Sequence, residues 1–304
     1  MTTADELHKL YYIGERLGHG TYGVVVAGTL KLNNKKIALK CARPSVSDDT
    51  SISSSFLREI NFLAQLKECP YIVNMLSYHI LKREEKYSEI IIVMPLCNKN
   101  SLSKLTPDIN ISAEKWILEI THALIYSHAK GIVHLDISLS NILIHDDSAF
   151  LTDFGMAMSI DEIEKEPDFY VNVRYYRAPE LLTSNTVGPS CDIWSLGCVF
   201  ACLLSLKYEN LFRFLWTGID SDDQLLKIID DSLDDVSGLK WLEQITGKTY
   251  MATKTIAEHF PNTPKPLLIL LQQMLKINPA ERASLLEIKN YLKIFISQEQ
   301  NNQN

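Results

Sequence analysis

The sequence contains no C-x-x-C pair. Its six cysteines, Cys41, Cys69, Cys97, Cys191, Cys198 and Cys202, stand apart from any histidine cluster. That excludes the common zinc frameworks and leaves the reduced thiols of an intracellular protein as the reading. Cys198 and Cys202 are one helical turn apart, as two side chains on one buried helix face would be. An excess of positive charge is also lacking. Thirty Lys and Arg stand against 37 Asp and Glu, a formal net charge of −7. A sequence-independent nucleic-acid binder needs a basic face, so no nucleic-acid partner is expected. The first ten residues carry Asp5, Glu6, His8 and Lys9 with no apolar core, unlike a secretory signal. The apolar run 193–206 is shorter than the about 20 residues that span a bilayer, and no membrane partner is expected. Without a signal, Asn110-Ile111-Ser112 reads as a chance match to a glycosylation acceptor. No repeat of fixed period and no block of like charge is present. The expected location is inside the cell, in cytoplasm or nucleus.

What is present is a chain of 304 residues with 46% hydrophobic composition, enough for two lobes of ordinary domain size. The first third reads as strands. Segments 11–17, 24–29 and 36–41 are short β-branched and aromatic runs, with a hairpin turn at Asn33-Asn34. Residues 45–55 form a polar, Ser-rich connection. Segment 56–66 then places Phe56, Leu57, Ile60, Leu63 and Ala64 at helical spacing, and 90–93 is an apolar run suited to a buried strand. After Cys97 the pattern turns helical: 113–128, stopped by Lys130-Gly131, then 190–206, 265–276 and 283–296. Strands first and helices later predict an α+β protein with a small β-rich N-lobe and a larger helical C-lobe. The expected divisions are an extension at 1–11, a catalytic domain at 12–296 divided after 97, and a fraying polar tail at 297–304.

Gly18-His19-Gly20-Thr21-Tyr22-Gly23 is a G-x-G-x-x-G. By itself it fits a dinucleotide fold or chance equally well. Here Val24-Val25-Val26 follows directly, where a dinucleotide fold would open a helix. A glycine-rich hairpin lets backbone amides approach a triphosphate. Lys40 ends the strand-like Ile37-Ala38-Leu39, and Glu59 lies 19 residues later in the helical segment. Either could be a solvated charge. Together they allow an ion pair that holds the ammonium on nucleotide phosphates. His134-Leu135-Asp136, Asn141 and Asp153-Phe154-Gly155 then supply a carboxylate, an amide and a second carboxylate.

With Ala178-Pro179-Glu180, Asp192 to Gly197 and Arg282, these motifs in this order resemble the eukaryotic protein kinase family. The resemblance runs from about residue 12 to 296. Within the family the chain looks most like the cyclin-dependent, MAP and dual-specificity-regulated kinases, on Arg174 to Glu180, on Arg58-Glu59-Ile60, and on Leu211-Phe212 with Gln224-Leu225. The resemblance implies ATP and Mg2+ as cofactors and protein substrates. It implies that Lys40, paired with Glu59, orients the phosphates. It implies that Asp136 accepts a hydrogen bond from the substrate hydroxyl, and that Asn141 and Asp153 bind the metal. Nucleotide contacts fall to the glycine loop, Val25, Ala38, Met94 as gatekeeper, and the hinge at Pro95 and Cys97. A regulatory partner would dock near 56–66.

The departures from the family pattern are equally informative. Leu135 stands where the family has Arg, and Met158 replaces a second Arg. Of three arginines that clasp the phosphorylated Thr of an activation loop, only Arg58 remains, and Asp168 occupies the phosphate-bearing position. A phosphate carries nearly two charges and wants several guanidinium partners, whereas one Asp could be served by Arg58 alone. Asp168 could equally be an ordinary loop acid. Tyr170 could be phosphorylated, allowing dual specificity, or be a packed structural residue. Ser138 and Ser140 replace the Lys and Arg that Ser/Thr and Tyr kinases respectively place beside the base, and Val173 replaces a docking-loop Thr. Similar loops without Arg or Lys occur in some viral kinases, notably those of herpesviruses, which would put the enzyme in a host cell. Two functions from different classes follow: a Ser/Thr protein kinase active without activation-loop Thr phosphorylation, or a nucleotide-binding pseudokinase scaffold.

Overall fold

The computed structural model describes residues 3–19, 23–42, 54–84, 87–99, 101–106, 110–165, 176–183, 187–211, 235–250 and 255–303. The chain divides into two compact units. One comprises Met1–Asn98 with Thr152–Ala157, the other Lys99–Leu151 with Met158–Asn304.

The first unit is built on a five-stranded antiparallel sheet of order β1-β2-β3-β5-β4. Its strands are β1 (Tyr11–His19), β2 (Gly23–Leu30), β3 (Lys35–Ala42), β4 (Ser77–Glu84) and β5 (Tyr87–Pro95). The turn between β2 and β3 falls at Asn33-Asn34, as the sequence suggests: Asn34 adopts a left-handed φ of 56°, and Lys35 N donates to Asn33 Oδ1 at 3.1 Å. On β3 the two-residue period separates the faces. Ile37 and Leu39 join Tyr11, Leu81, Ile91 and Val93 in one apolar cluster, which leaves Ala38 and Lys40 on the other face.

Residues 1–11, expected as an extension, carry structure that packs on this sheet. A short helix α1 (Ala4–Leu10) opens with a capping box between Thr3 and Glu6. Seven residues are too few for an isolated helix, but Leu7 is buried in the same cluster as Ile37 and Leu39. The α2 helix (Ser54–Gln65) also differs in detail from the expected face. Phe56, Glu59, Phe62 and Leu63 are buried, whereas Leu57 and Ala64 are exposed.

The second unit is mainly helical. Its helices are α3 (Ala113–Ala129), α4 (Ile160–Lys165), α5 (Pro179–Thr183), α6 (Pro189–Tyr208), α7 (Val236–Thr246), α8 (Ile256–His259), α9 (Lys265–Met274) and α10 (Leu285–Gln303). Strand β6 (Ile132–Val133) pairs with β9 (Met158–Ser159), and β7 (Ile142–His145) with β8 (Ser148–Leu151). Gly131, at φ 71°, closes α3 where the Lys130-Gly131 stop predicts. The α6 helix extends beyond the apolar run seen in sequence. At 20 residues and mean hydropathy 1.5 it is long and apolar enough to cross a membrane, but 83% of that window is buried inside the protein. The last helix runs to Gln303, through residues expected to fray, because its Gln and Glu are good helix formers despite their polarity. All six cysteines are free.

Candidate active site

In the first unit, β3 delivers Lys40 to two carboxylates. Its Nζ lies 2.8 Å from both Glu59 oxygens and 2.8 Å from Asp153 Oδ1, with the Phe56 ring centroid at 5.4 Å. Glu59 is buried on the inner face of α2, so the helical spacing of 56–66 serves a charged residue as well as apolar ones. Burial alone would pull the Lys40 ammonium down. The charges of Glu59 and Asp153 outweigh that and hold it well above the ordinary lysine range. Two acids thus share one base, and burial keeps the Glu59 carboxyl above its usual value.

Asp153 sits at φ 64°, ψ 74°, a left-handed conformation, and its side chain accepts from Gly155 N. Asp tolerates this region through local hydrogen bonding. The glycine loop is described at both ends: Gly18 and His19 finish β1 and Gly23 opens β2 opposite Ala42. A Cβ at Gly23 would collide with the backbone carbonyl of Cys41, whereas Gly18 has open space. The side chain of His19, and Gly20, Thr21 and Tyr22 entirely, lie outside the described residues. Val25 pairs with Lys40 across the sheet and Met94 with Ala38. Pro95 ends β5, and Cys97 is half-buried, its thiol pushed up to about 11 by burial.

In the second unit the segment 134–141 forms a tight loop. Asn141 Nδ2 donates to both the carbonyl and Oδ2 of Asp136, at 2.8 and 2.7 Å. Both are acceptors, so the amide nitrogen must face them and Oδ1 must point the other way. The Asp136 N–H donates to His134 Nδ1 at 3.2 Å, which makes Nδ1 the unprotonated nitrogen. Leu135 takes a left-handed φ of 61°, a conformation costing roughly 1–2 kcal/mol for a non-glycine residue.

Asp192 on α6 holds that turn, and sequence reasoning assigned it no role. Its Oδ2 accepts from His134 N and lies 2.8 Å from His128 Nε2, and its Oδ1 accepts from Leu135 N at 2.8 Å. Burial alone would raise this carboxyl, but those bonds and the two imidazoles hold it below the usual carboxylate range. The stabilisation it gives is therefore complete above the unfolded value of about 3.9 and is lost as pH falls through the lower folded value. Asn in its place offers one acceptor oxygen and presents an NH2 to a backbone donor. Asp192→Asn should cost about 1.5–3 kcal/mol in urea unfolding at pH 7, with a parallel loss of turnover. An unchanged midpoint would show that the turn holds itself.

The positions that depart from the family pattern are interior. Leu135 is 5% exposed and Met158, on β9, 1%, and Ser138 is also buried. Arg58 is half-buried on α2. Asp168, Tyr170, Val173 and Arg174 lie outside the described residues. Glu180 and Arg282 form a buried, two-pronged ion pair at 2.7 and 2.8 Å. The remaining guanidinium donors reach the carbonyls of Lys276, Ser190 and Ile277.

As to metal, no cluster of three or more His, Cys, Asp or Glu able to hold an ion occurs among the described residues. Asn141 in the second unit and Asp153 in the first each carry a hard oxygen donor, the type that suits Mg2+.

A family model described as protein kinase domain matches residues 11–292. Mitogen-activated protein kinase 2 of Pneumocystis carinii is 30% identical over 299 residues, covering 93% of this chain and 83% of that protein. Cyclin-dependent kinase-like 4 of Mus musculus is 31% identical over 282 residues, covering 88% and 78%. Mitogen-activated protein kinase 13 of Arabidopsis thaliana is 29% identical over 284 residues, covering 88% and 75%. With that match and a five-stranded sheet preceding a helical unit, the chain belongs to the protein kinase family, among MAP kinase and cyclin-dependent-kinase-like relatives, and is an enzyme using ATP and Mg2+.

Proposed function

We propose that this kinase transfers the γ-phosphoryl group of ATP to Ser or Thr hydroxyls of proteins, and does so without a phosphorylated Thr in its activation loop. The observation that carries the second half is the burial of Leu135 and Met158. Both are buried apolar side chains, so neither position presents a cation to a phosphate. Asp168 with Arg58 would serve as a single-charge substitute for the phosphate clasp.

The same reading assigns roles within the site. Lys40, held by Glu59, neutralises and orients phosphate oxygens. Asp136 accepts the hydrogen bond of the incoming hydroxyl, steadied by Asn141. Asn141 Oδ1 and Asp153 would hold Mg2+, which shields the charge of the transferring phosphates. The glycine loop, Val25, Ala38, Met94, Pro95 and Cys97 would enclose the nucleotide. Leu57, Ile60 and Ala64 share one outward stripe of α2 at helical spacing, a face on which a regulatory partner would dock. Reduced cysteines suit an enzyme working in cytoplasm or nucleus.

The buried, uncharged Ser138 favours the rival reading of a nucleotide-binding scaffold. Labelled ATP and a generic protein substrate decide between them. Purified, phosphatase-treated enzyme should retain its turnover within about twofold, label Ser or Thr, and lose rate on Asp168→Ala. Loss of activity on phosphatase treatment would overturn phosphate independence. No turnover at all would leave the scaffold.

A further inference from the structure

Within the second unit, α9 and α10 enclose a groove of about 370 Å3. That volume falls in the range of about 300–1,000 Å3 typical of ligand sites. Ile269 and Gln273 stand one turn apart on α9, and Glu287 and Tyr291 one turn apart on α10; all four line it. The walls are tied to each other. Tyr291 Oη donates to the Pro266 carbonyl at 2.9 Å, and Ala283 N, just before α10, to the Gln273 carbonyl at 3.0 Å. The groove is therefore formed before anything binds.

Its charge is unbalanced. Arg282 is the only cation in the lining, and its five N–H donors are committed to Glu180 and three carbonyls. Glu281 and Glu287, also in the lining, pair with no cation among the described residues. Glu281 accepts one bond on each oxygen, from Asn278 and Ser237. Glu287 accepts both of its bonds, from Ser284 N and Oγ, on Oε2. Those bonds hold the Glu287 carboxyl below its usual range, so it is ionised at neutral pH. Glu287 Oε1 and the Gln273 side chain have no partner among the described residues. Apolar surface adjoins these acceptors. Ile269 is 42% exposed, and Ile294, on the same stripe of α10 as Glu287 and Tyr291, is 60% exposed.

From this juxtaposition we propose that the groove docks a protein partner, seating an arginine of a partner segment against Glu287 and Tyr291 while a neighbouring apolar residue covers Ile294. A guanidinium fork matches a carboxylate and stacks on an aromatic face. The aliphatic stem of the arginine would lie along Ile269. A free amine would satisfy Glu287 but leave Ile294 in water, which is why a peptide segment fits better. The site recruits and does no chemistry, so it depends on none of the roles assigned to Lys40, Asp136 or Asp153.

The test is binding to the full-length enzyme, read by fluorescence anisotropy. The probes are labelled, end-blocked peptides, each with one arginine and one leucine separated by differing numbers of alanines. At least one should bind with a Kd of about 0.1–1 mM at low salt. Replacing its arginine by uncharged citrulline, or Glu287→Gln in the enzyme, should weaken binding about tenfold. Ile294→Ser should weaken it about threefold. Glutamine at 287 still accepts from Ser284, as capping boxes take Glu or Gln, so the thermal midpoint should not move. Turnover of a short peptide substrate by Glu287→Gln should stay within about twofold. No binding by any of the peptides overturns the proposal, as does binding that citrulline and Glu287→Gln leave unchanged. If arginine amide alone binds as tightly as the peptides, the groove takes a small amine and docking is overturned. None of these failures touches the transfer reaction. An enzyme that binds the peptides as expected yet never turns over would instead overturn only the reading of its reaction.

Discussion

Asp153→Asn should lower kcat by about 10³-fold, roughly 4 kcal/mol of transition-state stabilisation, while leaving the fold intact or slightly more stable. The two effects have opposite signs because one carboxylate has two jobs. Asparagine tolerates the left-handed backbone of position 153 as aspartate does, and its Oδ1 can still accept from Gly155 N. In the folded protein Glu59 and Asp153 share the single ammonium of Lys40, and the Asp153 charge is one of the causes that push the Glu59 carboxyl up. Removing that charge leaves a matched Lys40–Glu59 pair. The thermal midpoint should therefore hold or rise by a degree or two, as at other sites where function is kept at a cost in stability. What is lost is the anionic oxygen proposed to carry the metal. Kinetics with ATP at several Mg2+ concentrations, beside a melting curve, reads both. Full turnover would remove Asp153 from the metal site. A midpoint lowered by 5 °C or more would show that its bond to Lys40 matters to the fold more than its repulsion of Glu59.

The parts of this architecture that could be read in the sequence are those with a local signature. Strand β3 announces Lys40 because Ile37 and Leu39 alternate with Ala38, and α2 announces Glu59 because Phe56 and Leu63 set its period. Asn33-Asn34 marks its hairpin because asparagine accepts the left-handed backbone found at Asn34. What was not legible depends on contacts distant in sequence. Strand β4 escaped notice because Ser77 to Lys82 lacks a clear apolar alternation, and its place comes from pairing with β5. Helix α1 reads in the sequence as an extension because seven residues carry little helical signal, and the burial of Leu7 within the sheet's apolar cluster explains it. The role of Asp192 was hidden for the same reason. It is 57 residues from Leu135, and nothing local in Asp192-Ile193-Trp194 says that its carboxylate holds a strained turn. Residue identity marks which groups do chemistry, while the partners that aim them come from the fold.

Arg282→Met should be the most destabilising single change in the second unit, by about 3–5 kcal/mol, lowering the thermal midpoint by on the order of 10 °C. The guanidinium is fully buried, and all five of its N–H donors are used: two on Glu180, one each on the carbonyls of Lys276, Ser190 and Ile277. It also lies 5.2 Å from the Trp194 ring centroid. Methionine fills part of the space but leaves a carboxylate and three carbonyls without those donors. Glu180→Gln should cost less, because glutamine still accepts one bond and Arg282 keeps its three carbonyls. The order of the two losses tests whether the ion pair or the carbonyl clasp dominates. A double variant, Glu180→Leu with Arg282→Met, removes both charges, and replacing a buried ion pair by apolar groups is often near neutral. Here it should recover only about 1–2 kcal/mol over Arg282→Met, since each carbonyl left unsatisfied still costs about 1–3 kcal/mol. Chemical unfolding of the parent, Arg282→Met, the double variant and a Glu180→Leu single variant closes the cycle. Full recovery in the double variant would mean that the carbonyls find other donors, and that Arg282 is retained for its charge alone.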